Sequence, residues 1–237
     1  MNDELILLMD TSFKGLSLVL GKFGETFECL ATENYFTNQI AAARISGTVQ
    51  SLLSTNNLEL KDLNKILVSC GPGSFTGIKV GIAFATALAS TREDLLLEGV
   101  SPLECLGNHE KNVAWFLPAT KSQGYLCLGG DEGEKLFAVD LKGDSLSLES
   151  EGDRQKISLD ILDKYRVKIL LPWKNLEEYF KNKNRDFDVL SLIEATSASQ
   201  AAVIKNLGQN MLKSFGTVEP RYIRKSAPEE LLSKKES

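Results

Sequence analysis

Gly73, Gly77 and Gly81 stand four residues apart, and Ala85 and Ala89 continue the series. That spacing lines small residues along one face of a helix. Glycine inside a helix costs up to ~1 kcal/mol relative to alanine, so close approach of another part of the structure must offset it. Before the series, residues 65–70 form a short apolar run that reads as a buried strand, and Gly71-Pro72-Gly73 breaks it. The unit is strand, tight loop, then a helix from about Ser74 to Ser90. Upstream, residues 37–53 have a helical pattern and carry a matching stripe of Ala43, Gly47 and Ser51. Two such helices suit close packing, on each other and their own sheet or between subunits. The candidate partner interface is therefore Ala43, Gly47, Ser51, Gly77, Gly81 and Ala85.

The same loop excludes the common phosphate-binding motifs. A Walker loop needs Lys directly after its last Gly, but Ile78 intervenes before Lys79 and Val80 follows. GxGxxG fails because Thr76 stands where the third Gly belongs. Asp10-Thr11-Ser12 ends the apolar run 5–9 and could hold a magnesium-bound phosphate. The same residues are also ordinary turn formers. The acidic pairs Glu132/Glu134, Glu149/Glu151 and Glu177/Glu178 lie in polar runs and read as solvated faces. His109 is the single histidine, so two-histidine metal sites are excluded within this chain; it reads as a solvated or helix-end residue. Cys29, Cys70, Cys105 and Cys127 form no CxxC pair, which argues against a zinc ribbon or a disulfide framework. No catalytic, cofactor-binding or metal-binding residue is assigned.

Lys plus Arg is 27 against 32 Asp plus Glu, a net charge of -5. That is a poor footprint for a chain that grips nucleic acid alone, although a local basic patch stays open. An acidic start and the lack of any run near ~20 apolar residues predict neither a secretory leader nor a membrane span. The expected setting is the reduced cytoplasm.

Along the chain, strands are expected at residues 5–9, 16–20, 26–31 and 65–70. After Ser101-Pro102 the character changes, with strands at 113–117, 125–128, 135–140, 145–149 and 167–171. Short helices are expected at 159–165 and 173–181, with a solvated loop over 181–188. A long helix is expected from an N-cap at Ser197 to Phe215, stopped by Gly216. Trp115 and Trp173 read as core. No internal repeat is visible.

Three segments resemble one family. Ile6-Leu7-Leu8-Met9-Asp10-Thr11-Ser12 is similar to its opening strand and turn. Gly71-Pro72-Gly73-Ser74-Phe75-Thr76-Gly77-Ile78-Lys79-Val80-Gly81 is similar to its GPGSFTG(I/V)R(I/V)G hallmark. Glu219-Pro220-Arg221-Tyr222-Ile223-Arg224 resembles its closing EPxYLR. This is the TsaB (YeaZ) family, accessory subunits in the synthesis of threonylcarbamoyladenosine in tRNA. The chain departs from it at Phe36-Thr37, at Ala42 and over residues 119–125, so its second lobe is divergent.

The resemblance implies a two-lobed α/β fold of the actin/Hsp70/sugar-kinase class, built from ribonuclease-H-like lobes. The first lobe would be residues 1–101, rejoined by 207–226. The second would be 102–206, and 227–237 a frayed tail. It implies an inactive paralogue that binds and supports TsaD, the transferase that carries threonylcarbamoyl to the adenosine beside the anticodon and holds its metal with paired histidines. TsaE would join the larger complex, tRNA would be met through it, and a homodimer could form in isolation. The alternative is a small ATP-dependent kinase or acyl-phosphate enzyme of the same superfamily using Asp10.

Overall fold

The computed structural model describes residues 3–13, 15–36, 40–130, 135–142, 145–150, 156–157, 159–208 and 218–220. The first sheet opens with a meander, β1 (Glu4–Asp10), β2 (Leu16–Phe23) and β3 (Phe27–Tyr35), each antiparallel to the last. β4 (Lys65–Ser69) pairs parallel with β1, and β5 (Leu96–Val100) pairs parallel with β4, giving the order β3-β2-β1-β4-β5. β1 is apolar from Leu5 to Met9 because both its faces are covered. Leu5, Leu7 and Met9 point into one core and Ile6 and Leu8 into another.

The second sheet contains β6 (Val113–Pro118), β7 (Gln123–Leu128), β8 (Lys135–Lys142), β9 (Ser145–Ser150), β10 (Lys156–Ile157), β11 (Arg166–Leu170) and β12 (Phe187–Leu190). Its order is β10-β9-β8-β7-β6-β11-β12. From β8 to β12 it repeats the first sheet: an antiparallel meander β6-β7-β8, then β11 and β12 parallel to β6. The loop into the following helix repeats as well. Gly71 has φ +100° before Pro72, and Leu171 has φ +75° before Pro172. The repeat is one of topology, so the sequence, with glycine in one copy and leucine in the other, shows none.

Five layers result. α1 (Ile40–Thr55) and α2 (Phe75–Ala89) cover the outer face of the first sheet through Ile45, Val49, Leu52, Ile78 and Ala85. α3 (Pro102–His109) and α5 (Leu192–Gly208) lie between the sheets, where Leu103, Leu106, Ala202 and Val203 share a core with Ile6, Leu67, Trp115 and Leu117. α4 (Lys174–Asn182) and a 3-10 helix (Leu159–Lys164) cover the outer face of the second sheet, over Phe116, Leu126 and Ile169. Asn206 Nδ2 of α5 donates to the Cys105 carbonyl of α3 at 3.1 Å. Gln200 Nε2 reaches the first sheet, donating to Ser17 Oγ at 2.5 Å and Asn34 Oδ1 at 3.2 Å. Both tryptophans are core, Trp115 at 1% and Trp173 at 2% exposure. The two-lobed α/β architecture is the one expected.

Four local expectations are corrected. β3 runs on to Tyr35, because pairing with β2 extends it past the alternating stretch. β5 and α3, unmarked in the sequence reading, fill residues 96–109; Ser101 caps α3 by accepting from Glu104 N, with Pro102 at its first position. The expected loop at 181–188 gives way at Phe187 to β12, which the sheet recruits beside β11. α5 starts at Leu192, not after Ser197: Ser191 accepts from Glu194 N, and Ser191 N donates back to Glu194 Oε2, a reciprocal cap. The expected end at Phe215 and Gly216, residues 37–39, and Arg221–Arg224 of the closing motif lie outside the described residues. Val218, just before that motif, packs on the core beneath α1 and α2.

Candidate functional site

The turn after β1 and the start of α2 form one closed unit. Ser74 caps α2, its Oγ accepting from Gly77 N at 3.2 Å. Ser74 N donates to the Ser12 carbonyl at 2.6 Å. Thr11 Oγ1 donates to the Gly77 carbonyl at 2.7 Å. A methyl group added at Gly77 would collide with the Thr11 carbonyl, and one at Gly81 with Thr11 Oγ1. These two glycines are therefore answered by the β1 turn and not by a second helix. Ala85 is fully buried against the sheet.

The candidate stripe thus divides. Ala43, Gly47 and Ser51 lie exposed on α1, and a methyl group at Gly47 would meet nothing within 4 Å. Within the chain α1 and α2 are neighbours, but their small faces do not meet. Thr11 fills one, and the other looks outward.

The outward face of the pair is unusual in charge. α1 has 16 residues and α2 has 15, and Arg44 and Lys79 are their only charged side chains. At the chain's 25% charged content about eight would be expected. Both cations rest on aromatic rings: Arg44 lies 5.4 Å from the centre of Tyr35, and Lys79 lies 4.1 Å from that of Phe75. Around them Ala43, Ser46, Gly47, Ala83 and Ala87 are exposed, and Phe75 is 42% exposed. Sequence reasoning registered the small residues and missed this lack of charge, which was countable.

Asp10 is buried at the end of β1, on a small pocket shared with Phe13, Ser17, Phe36 and Thr196. Ser12 N and Ser12 Oγ both donate to its Oδ1, at 2.8 and 2.6 Å. Burial pushes its carboxyl above the usual value; the Ser12 hydroxyl and backbone, and the Ser69 hydroxyl, pull less strongly the other way. The folded state thus keeps a proton that the unfolded state releases, and stability falls as pH rises from the ordinary carboxylate value to the folded one. Asp10→Asn, which keeps the acceptor for Ser12, is expected to raise stability at pH 7 by about 1 kcal/mol. The gain should shrink as pH falls from the raised folded value toward the ordinary carboxylate value near 4, and be gone below it. Thermal melts from pH 3 to 8 check both the sign and the window.

In the second lobe the corresponding turn is also closed, as Trp173 Nε1 donates to the Lys121 carbonyl at 2.9 Å. Glu177, placed by sequence on a solvated face, accepts from Trp173 N at 2.9 Å. His109 is the last residue of α3. Among the described residues no three His, Cys, Asp or Glu side chains converge as a metal site. No helix among them is long and apolar enough to cross a membrane.

The family model for TsaD, tRNA N6-adenosine threonylcarbamoyltransferase, matches residues 37–115. The tRNA threonylcarbamoyladenosine biosynthesis protein TsaB of Escherichia coli K12 is 37% identical over 114 residues, 46% of each chain. TsaB of Bacillus subtilis 168 is 35% identical over 103 residues, 43% of this chain and 42% of that one. The chain thus matches about half the length of these relatives. TsaB of Buchnera aphidicola is 24% identical over 183 residues, 77% of this chain and 82% of that one. Among solved structures, YeaZ from Pseudomonas aeruginosa superposes with TM-score 0.61 at 19% identity, covering 92% of this chain and 99% of that one. A second Pseudomonas aeruginosa structure, of an uncharacterized protein with similarity to peptidase YEAZ, gives TM-score 0.63, covering 93% of this chain and 100% of the other. These likenesses establish the shared fold.

Proposed function

We propose that this chain, a member of the TsaB/YeaZ family by its sequence relatives and its fold, is a non-catalytic subunit of tRNA threonylcarbamoyladenosine synthesis. It binds a TsaD-type transferase and supports the transfer of threonylcarbamoyl to the adenosine beside the anticodon. The observation that carries this reading is the α1–α2 face: small, exposed and nearly without charge on a chain that is 25% charged. Depletion of charge with an aromatic at the edge is the composition of an interface centre. Ala43, Gly47 and Ser51 would contact the partner. Gly77, Gly81 and Ala85 would hold α2 in the position from which Ala83 and Ala87 complete the surface.

The TsaD match supports kinship with the transferase, while the single histidine, His109, supports an accessory role over a two-histidine metal site. The ATPase TsaE joins the larger complex, tRNA is engaged there, the setting is the cytoplasm, and the same helices serve a homodimer when the partner is absent. Asp10, buried and facing the pocket between α5 and the first sheet, is what favours the second reading, a kinase or acyl-phosphate enzyme. The hydrogen bonding around it supports the first. Thr11 and Ser12 spend their hydroxyls on Gly77 and Asp10, so neither is free to hold a phosphate.

The test is to mix the purified chain with its cognate transferase and measure the mass of the eluting species by light scattering. A stable complex containing both chains is expected. Separate elution at micromolar concentrations would contradict the reading.

A further inference from the structure

A polar seam joins α5 to the first sheet at the end of β1. Asp10 is 7% exposed there. Ser17, its register partner on β2, and Ser69, at the end of β4, are buried with it. α5 carries Thr196, Ser199 and Gln200 within two turns. Thr196 lines the same pocket as Asp10 and Ser17. Gln200 Nε2 bonds Ser17 Oγ and Asn34 Oδ1. Ser199 Oγ is buried with no hydrogen-bond partner among the described residues.

The two halves of α5 are held differently. The second half is anchored on α3, where Asn206 Nδ2 donates to the Cys105 carbonyl and Ala202 and Val203 are buried in the core between the sheets. The first half follows β12, a four-residue strand at the edge of its sheet. Val189 on that strand and Ile193 on the helix are exposed, and Ala195 is the fully buried apolar side chain of this half. A short edge strand and a helix start with large apolar side chains in water belong to the part of a fold that opens most readily. A detached helical stretch of this length is not stable in water. Opening therefore unwinds residues 192–200 and lets water reach Asp10.

We propose that the first half of α5 is a proton-controlled latch: it stays on the first sheet while the Asp10 carboxyl keeps its proton, and comes away when that proton passes to water. Both donors of Ser12 reach Oδ1, so Oδ2 carries the proton. In the closed seam an ionised Asp10 would be a buried charge, whereas in the open state water solvates it. Burial is the largest influence on this carboxyl and raises it above the usual value. The closed state thus binds a proton that the open state releases. Opening grows as pH rises from the ordinary carboxylate value to the raised one, and levels off beyond it. The ionisable groups on the surrounding elements are placed elsewhere. Lys22 and Lys65 lie at the opposite ends of β2 and β4, and Lys79 of α2 rests on Phe75. Glu33 on β3 and Glu194 and Lys205 on α5 are exposed. Glu104, in the first turn of α3, is the other buried carboxylate among the described residues, and Lys14 lies outside them.

The experiment is amide hydrogen exchange of the full chain from about pH 4 to 8, corrected for intrinsic rates, with and without low urea. Amides of residues 196–200 should be less protected than those of Leu67 and Val68 on β4, and less sensitive to urea. Their protection should fall by up to about tenfold per pH unit within the window. Asp10→Asn has nothing to ionise and should remove that dependence. Gln200→Ala should lower protection about tenfold at every pH and keep the dependence, which leaves the test readable if the Asp10 variant folds poorly. Glu104→Gln should keep it as well. Equal protection and urea sensitivity in α5 and β4 would mean that Asp10 ionises only on global unfolding, and would overturn the proposal. So would a pH dependence that survives Asp10→Asn or vanishes with Glu104→Gln, or unchanged protection in Gln200→Ala. The isolated chain suffices, so the latch stands or falls apart from the accessory-subunit reading.

Discussion

Gly81→Leu is expected to destabilise the isolated chain by about 3 kcal/mol, lowering its melting temperature by about 10 °C. A methyl group at this position already collides with Thr11 Oγ1, and leucine adds three more carbons in the same notch. The helix is fixed on both sides. Ala85 and Ile82 hold it on the sheet, and Ser74 and Gly77 bind the β1 turn. Relief would require the turn to leave, losing the Thr11 to Gly77 and Ser74 to Ser12 hydrogen bonds together. Thermal and urea melts of the isolated chain measure the effect. A variant that melts with the wild type would show that the glycine stripe is not filled by Thr11.

Gly47→Arg is expected to do the opposite: leave the melt within about 0.5 kcal/mol of wild type and weaken binding to the transferase by about 100-fold or more. Nothing lies within 4 Å of a methyl group at Gly47, so the isolated fold has room for the side chain. In a complex that buries α1, the same arginine would bring a long, charged side chain into an interface with almost no charge to answer it. Glycine inside a helix is unfavourable by up to about 1 kcal/mol, so the substitution can even raise stability slightly. Calorimetry of the variant against the transferase, beside a melt of the variant alone, separates the two effects. Wild-type affinity would remove the α1 face from the interface.

The contrast between Gly81 and Gly47 shows where sequence reading stops. The four-residue spacing of small residues identified two helix faces that accept a close approach, but it carries no sign of what approaches. On α2 the answer is a turn 66 residues upstream in the chain, reached by the Thr11 to Gly77 bond. On α1 nothing within the chain answers. In the first sheet β1 and β4 were legible because they are buried on both faces and read as apolar runs, whereas β5 was not marked. β12 was not legible. Phe187-Asp188-Val189-Leu190 is short and follows the polar run 181–186, which reads as a loop, and it pairs as a strand on the edge that β11 offers. α3 escaped notice because it is only eight residues long, about two turns, too short a window for a helical period to stand out. The repeat of the two sheets survives in strand order and in the positive φ before Pro72 and Pro172, neither of which requires shared residue types.

Reconstituted transfer is the direct test of the accessory role. The cognate TsaD-type transferase, the ATPase TsaE and the enzyme that makes threonylcarbamoyl-adenylate are combined with unmodified tRNA, and threonylcarbamoyladenosine is measured by mass spectrometry. Modification is expected with the wild-type chain, at background when it is omitted, and at background when the transferase is omitted. Gly47→Arg should fall between, recovering as its concentration is raised. Equal modification without the chain, or modification by the chain with the transferase left out, would contradict its place as a non-catalytic partner.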